Sequence, residues 1–322
     1  MLKDIMSRIL ANQSVIDKIN ISQTHEQIGS SVPFAAGLHT GEAAFIQVGD
    51  DCAAIPDGHG GYLLFAAEGI VSSFLEKSPW FAGYCAVMVN ISDVCAMGGL
   101  PLAVTDVLWV KDSLDAQQIW EGMQAAATAY GVPIVGGHTC YRVENKNLAV
   151  SILGKAEKLL TSFDAAAGDT LMIAIDLNGT YFENYPFFNA STTSTTEHLR
   201  QISGLMAKLA NNGWSVAAKD ISMGGIIGTL AMLMHSSGVG SEIDLLSIPK
   251  PDGISWDKWL TSFPSFGYLF TCEREKIPEI RKLFDTASIH CEAIGKITDT
   301  HSITVKYNDS HFNINLNSYN YA

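Results

Sequence analysis

Alternating strand and helix signals run through most of this 322-residue chain, in two successive halves. Apolar runs typical of strands separate longer runs typical of helices, such as Pro79–Met97 and Asp115–Tyr130, each followed directly by glycine. The first half has the order β-β-α-β-α-β-β, and a second mixed set begins at Thr170 after the predicted loop Thr161–Gly168. Alternation of this kind predicts two domains of the α/β or α+β class.

Polar stretches between these units give the expected domain limits. We predict an N-terminal helix and arm over residues 1–42, a first domain over 43–160 and a second domain over 168–322. Apolar residues between Met1 and Asn20 are interrupted by charges, which predicts an amphipathic helix and not a signal peptide. Five aromatic residues lie among polar ones within 178–195. That stretch predicts either a lid or substrate wall, or a packed surface loop.

Composition excludes some partners. The net charge of −13 repels phosphate backbones, so we expect no nucleic-acid partner, although metal ions and backbone N–H groups can still hold one nucleotide. No apolar run approaches the roughly 20 residues that a membrane span needs, so we expect no membrane association. Six cysteines without a CxxC pair or zinc spacing predict free thiols in a reducing compartment, and we therefore expect a cytoplasmic protein.

Two acidic segments are candidates for metal binding. Gly49-Asp50-Asp51 follows a predicted strand, where paired carboxylates suit a hard cation, although glycine and aspartate are also ordinary turn residues. Asp93 lies within the apolar helix Pro79–Met97. Burying a carboxylate without a partner costs several kcal/mol, so Asp93 requires a metal or a hydrogen-bond donor unless it faces solvent.

Two glycine-containing segments are candidates for contacts with an anion. Gly136-Gly137-His138-Thr139 follows the short predicted strand Pro133–Val135, where the glycines either let a ligand approach the backbone or form a tight turn. A lone histidine is more often structural than catalytic. Asp220-Ile221-Ser222 precedes a helix that starts with glycine, which indicates an anion-binding helix N-terminus or an ordinary cap.

Together and in this order, these segments resemble the superfamily of aminoimidazole ribonucleotide (AIR) synthase, thiamine-monophosphate kinase and selenophosphate synthetase, over about residues 43–298. Kinases of that superfamily carry GDDCA, TTD, NLSDLAAMG, GGDT and DISDG. This chain carries GDDCA at 49–53, AAE at 66–68, NISDVCAMG at 90–98, GGHT at 136–139 and DISMG at 220–224. Its SD-AMGG and GGHT forms are similar to those of selenophosphate synthetases.

The resemblance implies an AIR-synthase-like two-domain fold that binds ATP and Mg²⁺ in a cleft lined by these segments. It implies a ferredoxin-like N-terminal half that forms a homodimer, followed by a mixed α/β C-terminal half. The metal ligands implied are Asp51, Glu68, Asp93 and Asp220. The residues expected to contact the nucleotide are Gly49, Asn90, Gly136, Gly137, Thr139 and Ser222. His138 and Asp220 are the expected catalytic residues.

Departures from the family patterns bear on the substrate. Glu68 replaces the aspartate of TTD, His138 replaces that of GGDT, and Met223 replaces the second aspartate of DISDG. Selenophosphate synthetases carry a reactive Cys or selenocysteine in an N-terminal loop, whereas the first cysteine here is Cys52. AIR synthases carry GGET where this chain has GGHT. The pattern is therefore most similar to an uncharacterised AIR-synthase-related branch.

Two functions follow from these residues. The first is Mg-ATP-dependent phosphorylation, or phosphate activation, of a small-molecule substrate, in which charge neutralisation and alignment promote attack on the γ-phosphoryl group. The alternative is a nucleotide-binding dimer without catalysis. Met223 and the missing TTD aspartate favour the alternative, whereas Asp51, Asp93 and Asp220 favour the enzyme.

Overall fold

The computed structural model describes residues 1–17, 34–35, 43–44 and 47–316. The labelled helices are α1 Leu2–Leu10, α2 Ser72–Lys77, α3 Pro79–Ala96, α4 Ser113–Tyr130, α5 Thr196–Ser203, α6 Leu205–Asn211, α7 Gly225–Ser236, α8 Trp256–Leu260 and α9 Ile277–Asp285. The strands are β1 Phe34–Ala35, β2 Ala43–Ala44, β3 Ala53–Pro56, β4 Tyr62–Ile70, β5 Leu100–Trp109, β6 Ile134–Cys140, β7 Asn147–Ala156, β8 Thr170–Ile175, β9 Thr180–Tyr181, β10 Phe187–Asn189, β11 Ala218–Asp220, β12 Gly240–Asp244, β13 Phe263–Pro264, β14 Gly267–Cys272, β15 His290–Thr298, β16 Ser302–Tyr307 and β17 Ser310–Asn315.

The N-terminal half is a five-stranded mixed sheet with the order β3-β4-β7-β5-β6. Its strands pair antiparallel except for β5 and β6, which are parallel and joined by α4. Helices α3 and α4 cover one face of the sheet and pack closely on each other. Gly83 and Gly122 lie at their crossing, where a Cβ on either would touch the backbone of the other helix. The opposite face exposes Leu63 and Phe65 of β4.

Helix α3 has apolar residues on all sides, and both halves of the protein pack against it. It contacts β4 and β7 of the first sheet and β11 of the second. Fourteen of its residues are buried, and its single charged residue is Asp93. A helix that is hydrophobic all round is a buried helix. The sequence of α3 therefore places one carboxylate at the junction of the two halves.

The C-terminal half is a seven-stranded sheet with the order β11-β14-β8-β15-β12-β16-β17. All neighbours are antiparallel except β12 and β16. One apolar core joins the first half to residues such as Phe270 and Phe284, while a second core contains α1, α7 and Trp259. The two-domain α/β fold expected from the alternating pattern is confirmed.

Several element predictions need correction. The strand predicted over Ala43–Val48 is seen only at Ala43–Ala44, and residues 45–46 lie outside the described residues. The helix predicted over Thr196–Asn211 is broken into α5 and α6 at Gly204, and the first helix, predicted to Asn20, ends at Leu10. Most of the predicted arm up to residue 42 lies outside the described residues.

The aromatic segment 178–195 is a packed part of the fold. Phe182 stacks on Phe81 of α3, with ring centroids 3.8 Å apart, and Phe187 and Phe188 are buried. The short strands β9 and β10 order this segment beside β13. These contacts support the packed surface loop among the two alternatives. Among the described residues no helix is both long and apolar enough to cross a membrane, and all six cysteines are unpaired thiols.

Candidate functional site

Three aspartates from three separate segments meet where α3 contacts β11. Asp51 comes from the loop before β3, Asp93 from α3 and Asp220 from the end of β11. One carboxylate oxygen of each lies within 4.8 Å of those of the other two. Asp93 and Asp220 are buried, and the side chain of Asp51 is 6% exposed. Oxygen ligands at this spacing suit a hard divalent cation such as Mg²⁺, so the donor set fits the metal that the sequence implied.

The loop that carries Asp51 is fixed by its own glycine and by Asp50. Gly49 has a φ of 109°, a left-handed conformation that glycine adopts without steric strain. The Asp50 carboxylate accepts hydrogen bonds from Ser162 N at 2.9 Å and Ser162 Oγ at 2.6 Å. Burial and the adjacent Asp51 charge raise the pKa of Asp50 to about 6, against the opposing effects of Lys219 and Ser162. Asp50 therefore anchors the loop to the segment between the halves.

A buried lysine shares the site with these carboxylates. Lys219 precedes Asp220 in β11 and is 3% exposed. Its Nζ donates a hydrogen bond to Asp51 Oδ1 and lies 3.5 Å from Ser162 Oγ. Burial opposes the charge on Lys219, but Asp51, Asp50 and Asp220 outweigh it and hold the pKa of the ammonium above its usual range. Lys219 directly precedes the Asp220-Ile221-Ser222 segment, and its contact with Asp51 was not among the sequence predictions.

Two buried oxygen atoms occur in the segments that carry the aspartates. Asn90, one turn before Asp93 on α3, donates through Nδ2 to the carbonyl of Ala86 at 2.8 Å. Within the described part of the chain, its Oδ1 and the Oγ of Ser222 are buried and have no hydrogen-bond partner. Buried polar atoms in folded proteins are normally hydrogen-bonded. These two oxygens are therefore suited to a ligand, an ion or ordered water.

A cleft of about 710 Å³ lies between α4 and the edge strand β6. Trp120, Met123 and Gln124 form its helical wall, and Gly136 and Gly137 contribute to the wall formed by β6. His138 and Thr139 also line it. The sequence predicted a strand that ends at Val135, followed by a tight turn or a ligand contact, but β6 continues through these residues to Cys140. It does so because it pairs in parallel with β5, with Gly136 opposite Thr105 and Thr139 opposite Leu108.

The structure adds Asp106 to the residues of interest. This aspartate lies in β5, lines the same cleft and is only 9% exposed. No side chain of the described residues donates to its carboxylate, and burial raises its pKa. A signal for it was present in the sequence, because strand alternation places residue 106 on the same face as the apolar Val104 and Leu108.

The remaining predicted residues lie outside the three-aspartate group. Glu68 is exposed on β4. It pairs with Val150 of β7, which pairs with Asp106 of β5, which in turn pairs with Gly137 of β6. That register places Glu68 two strands from Asp106, on the β4 side of the sheet. The structure thus brings Asp51, Asp93 and Asp220 together and places Gly136–Thr139 at the cleft. Met223 is 50% exposed and offers no oxygen ligand.

Comparison with known proteins assigns both halves of the chain to known domain models. Residues 49–156 match the model for the N-terminal domain of AIR synthase related protein, and residues 176–308 match the model for its C-terminal domain. An uncharacterised protein of Synechocystis sp. is 43% identical over 307 residues, covering 95% of this chain and 93% of its own.

Two solved structures show the same fold at low sequence identity. Thermotoga maritima PurL complexed with ATP has a TM-score of 0.73 and 17% identity, covering 84% of this chain and 46% of that chain. This chain thus spans about half the length of PurL. AaThiL complexed with AMPPCP and TMP has a TM-score of 0.61 and 19% identity, covering 81% and 89% of the two chains. The two matched domains, together with the relative that is similar over nearly its whole length, show that this chain belongs to the AIR synthase related family.

Proposed function

We propose that this protein binds Mg-ATP and uses it to phosphorylate, or to activate with phosphate, a small-molecule substrate. The observation that carries the proposal is the group formed by Asp51, Asp93 and Asp220. A triphosphate and three carboxylates repel one another unless cations lie between them. Structures of PurL with ATP and of ThiL with AMPPCP support a nucleotide ligand for this fold.

In this proposal Asp51, Asp93 and Asp220 would hold Mg²⁺. When bound, the ion would supply neutralisation of the negative charge of the phosphates. The chain itself positions these three carboxylates, because the Asp50–Ser162 contacts fix the loop of Asp51 and the buried α3 fixes Asp93. The open oxygens of Asn90 and Ser222 are available to metal-bound water or to the ligand.

We place the adenosine part of the nucleotide in the cleft between α4 and β6. Trp120 and Met123 offer a flat apolar wall for a base, and Gly136 and Gly137 let a ligand approach the backbone of β6. The edge of β6 that faces away from β5 has no partner strand among the described residues, so its backbone groups there can bond a ligand. Asp106 is then positioned to accept a hydrogen bond from an amino group, and His138 to contact the bound molecule.

We further propose that a second copy of this chain covers the open face of the N-terminal sheet. Phe65 is 50% exposed there, beside Leu63 of the same strand and Leu153 of β7. Leu102 of β5 is also exposed. An apolar sheet face of this kind is usually covered by a partner. A homodimer built through this face is therefore the expected assembly.

Calorimetric titration separates the parts of the proposal. ATP is titrated into the protein with Mg²⁺ and, in parallel, with EDTA, and tripolyphosphate is titrated with Mg²⁺. We expect ATP binding to require Mg²⁺, and Trp120→Ala to weaken binding of ATP while leaving that of tripolyphosphate unchanged. Equal ATP affinity in EDTA would contradict the metal-bridged site. An equal loss for both ligands in Trp120→Ala would contradict the placement of the base.

The acceptor is then sought by thermal shift in the presence of Mg-ATP. A ligand that binds the folded state raises the melting temperature by mass action. Each compound that does so is tested for consumption of ATP. ATP binding without consumption for any stabilising compound would favour a nucleotide-binding protein without catalysis.

A further inference from the structure

The buried ammonium of Lys219 lies inside the group of carboxylates that the proposed function assigns to metal. Its Nζ donates a hydrogen bond to Oδ1 of Asp51, and Asp51 is one of the three aspartates of the proposed metal site. Asp51 Oδ2 lies 3.4 Å from the backbone nitrogen of Asp220. Both oxygens of Asp51 are therefore engaged by β11. A divalent ion that enters must share Asp51 with Lys219 or displace the lysine.

The charges show why the lysine is tolerated at this depth. A buried ammonium costs several kcal/mol unless it is paired. Here the ammonium donates a hydrogen bond to Asp51, whose side chain is only 6% exposed, and Asp220 is the next residue of β11. Asp51 has its neighbour Asp50 on one side and the carboxylates of Asp93 and Asp220 close by. Among the described residues, Lys219 is the one cationic side chain that forms a hydrogen bond with Asp51, so its removal would leave these carboxylates without that cation.

We propose that Lys219 is the resident cation of this site and keeps its affinity for divalent metal low until a polyphosphate arrives. In the resting protein its ammonium satisfies Asp51 in place of a metal ion. A metal–nucleotide complex brings its own negative charge, which compensates for the charge of the lysine and lets metal and ammonium coexist. Metal therefore enters with the nucleotide and not before it. The assignment of metal to this site rests on the proposed function, but the role of Lys219 is testable without nucleotide.

The test is Mn²⁺ binding to nucleotide-free protein, measured by the loss of the free-ion signal in electron paramagnetic resonance. Three proteins are compared: wild type, Lys219→Met, which keeps bulk and loses charge, and Lys219→Arg, which keeps charge. We expect weak binding to wild type and to Lys219→Arg. Lys219→Met should bind Mn²⁺ at least about tenfold more tightly, because the competing charge is gone. In EDTA, Lys219→Met should have a lower melting temperature than wild type. Adding Mn²⁺ should raise the melting temperature of Lys219→Met by more than it raises that of wild type.

Every outcome decides the proposal. Equal Mn²⁺ affinity in wild type and Lys219→Met would overturn it, as would tight Mn²⁺ binding by wild type alone. If Lys219→Met is unfolded in EDTA, refolding by Mn²⁺ supports the proposal and failure to refold contradicts it, because the ion should replace the ammonium. Since no nucleotide is present, a protein that binds no ATP but gains Mn²⁺ affinity in Lys219→Met would contradict the proposed function and still support the role of Lys219.

Discussion

The carboxylate of Asp106 lies directly beside the Cα of Gly137, so that a Cβ at position 137 would be 2.3 Å from Asp106 Oδ1. The two residues are opposite each other in the parallel pairing of β5 and β6. Glycine at 137 therefore makes room for the aspartate that lines the cleft. Glycine is therefore required at position 137, the second glycine of the GGHT motif, by its contact with Asp106 and not by a tight turn.

Gly137→Ala should lower the free energy of unfolding by about 1–3 kcal/mol, because the added methyl group overpacks against Asp106. Gly136→Ala is the matched control, since its Cβ would be 4.0 Å from Thr105 Cγ2, an ordinary contact. That control should leave stability unchanged or raise it by up to about 1 kcal/mol, because alanine restricts the unfolded chain. Denaturant titration measures both, and equal losses in the two variants would show that Asp106 is not the obstacle.

Asp106 also gives a prediction about pH. Burial raises its pKa, so the folded protein holds the proton more tightly than the unfolded chain does. Below the pKa of Asp106 in the unfolded chain, near 3.8, the protonated carboxyl contributes its full share to the free energy of unfolding. That contribution is lost as the pH rises through the higher pKa of Asp106 in the folded protein. Asp106→Asn carries no charge to bury. Its stability relative to wild type should therefore be greater at pH 7 than at pH 4, as measured by urea unfolding at both values. A difference independent of pH would rule out this contribution.

Phe65→Glu should convert a dimer into a monomer, because it places a charge on the open face of the sheet, opposite Leu153. Light scattering should give twice the 34.7 kDa chain mass for wild type at micromolar concentration and the single mass for the variant. Leu246→Glu is the control, because Leu246 is 58% exposed in the other half of the molecule. That variant should remain dimeric. A single chain mass for wild type would contradict the homodimer.

Met223 predicts the absence of one particular activity. A half-exposed thioether stands where kinases of the family carry a second aspartate, and sulfur is a poor ligand for Mg²⁺. Losing a metal-borne contact typically costs on the order of a thousandfold in the rate of phosphoryl transfer. We therefore expect no useful phosphorylation of thiamine monophosphate in a coupled assay. Robust turnover by wild type would reverse this prediction, whereas turnover only in Met223→Asp would support it.

The sequence was informative where a pattern was local. The apolar character of α3 left its single aspartate either buried with a partner or facing solvent, and the structure shows it buried. The alternation of strands and helices predicted the two-domain fold. The short strands β3 and β11 were missed, because β3 contains Pro56 and β11 contains the charged pair Lys219-Asp220. Charged residues and proline disfavour a strand locally, but pairing with β4 and β14 overrides them.

The contacts that organise the site are far apart in sequence. Lys219 and Asp51 are separated by 168 positions, and Ser162 and Asp50 by 112. Neither hydrophobic periodicity nor motif spacing predicts such a contact, because the contact depends on how the two sheets pack on α3. The charge balance of the site, with one ammonium among its carboxylates, could therefore be read only from the fold.

The affinity of Asp93→Asn for Mg-ATP, measured by calorimetry beside wild type, tests the three-aspartate site most directly. The change is nearly isosteric and removes one of the three charges that meet at the site. Asp252→Asn makes the same change at an exposed turn and is the control. We predict an affinity about 10- to 100-fold lower for Asp93→Asn, with an unchanged circular dichroism spectrum and with the control equal to wild type. Unchanged Mg-ATP affinity in folded Asp93→Asn would contradict the claim that these three aspartates form a metal-bridged nucleotide site.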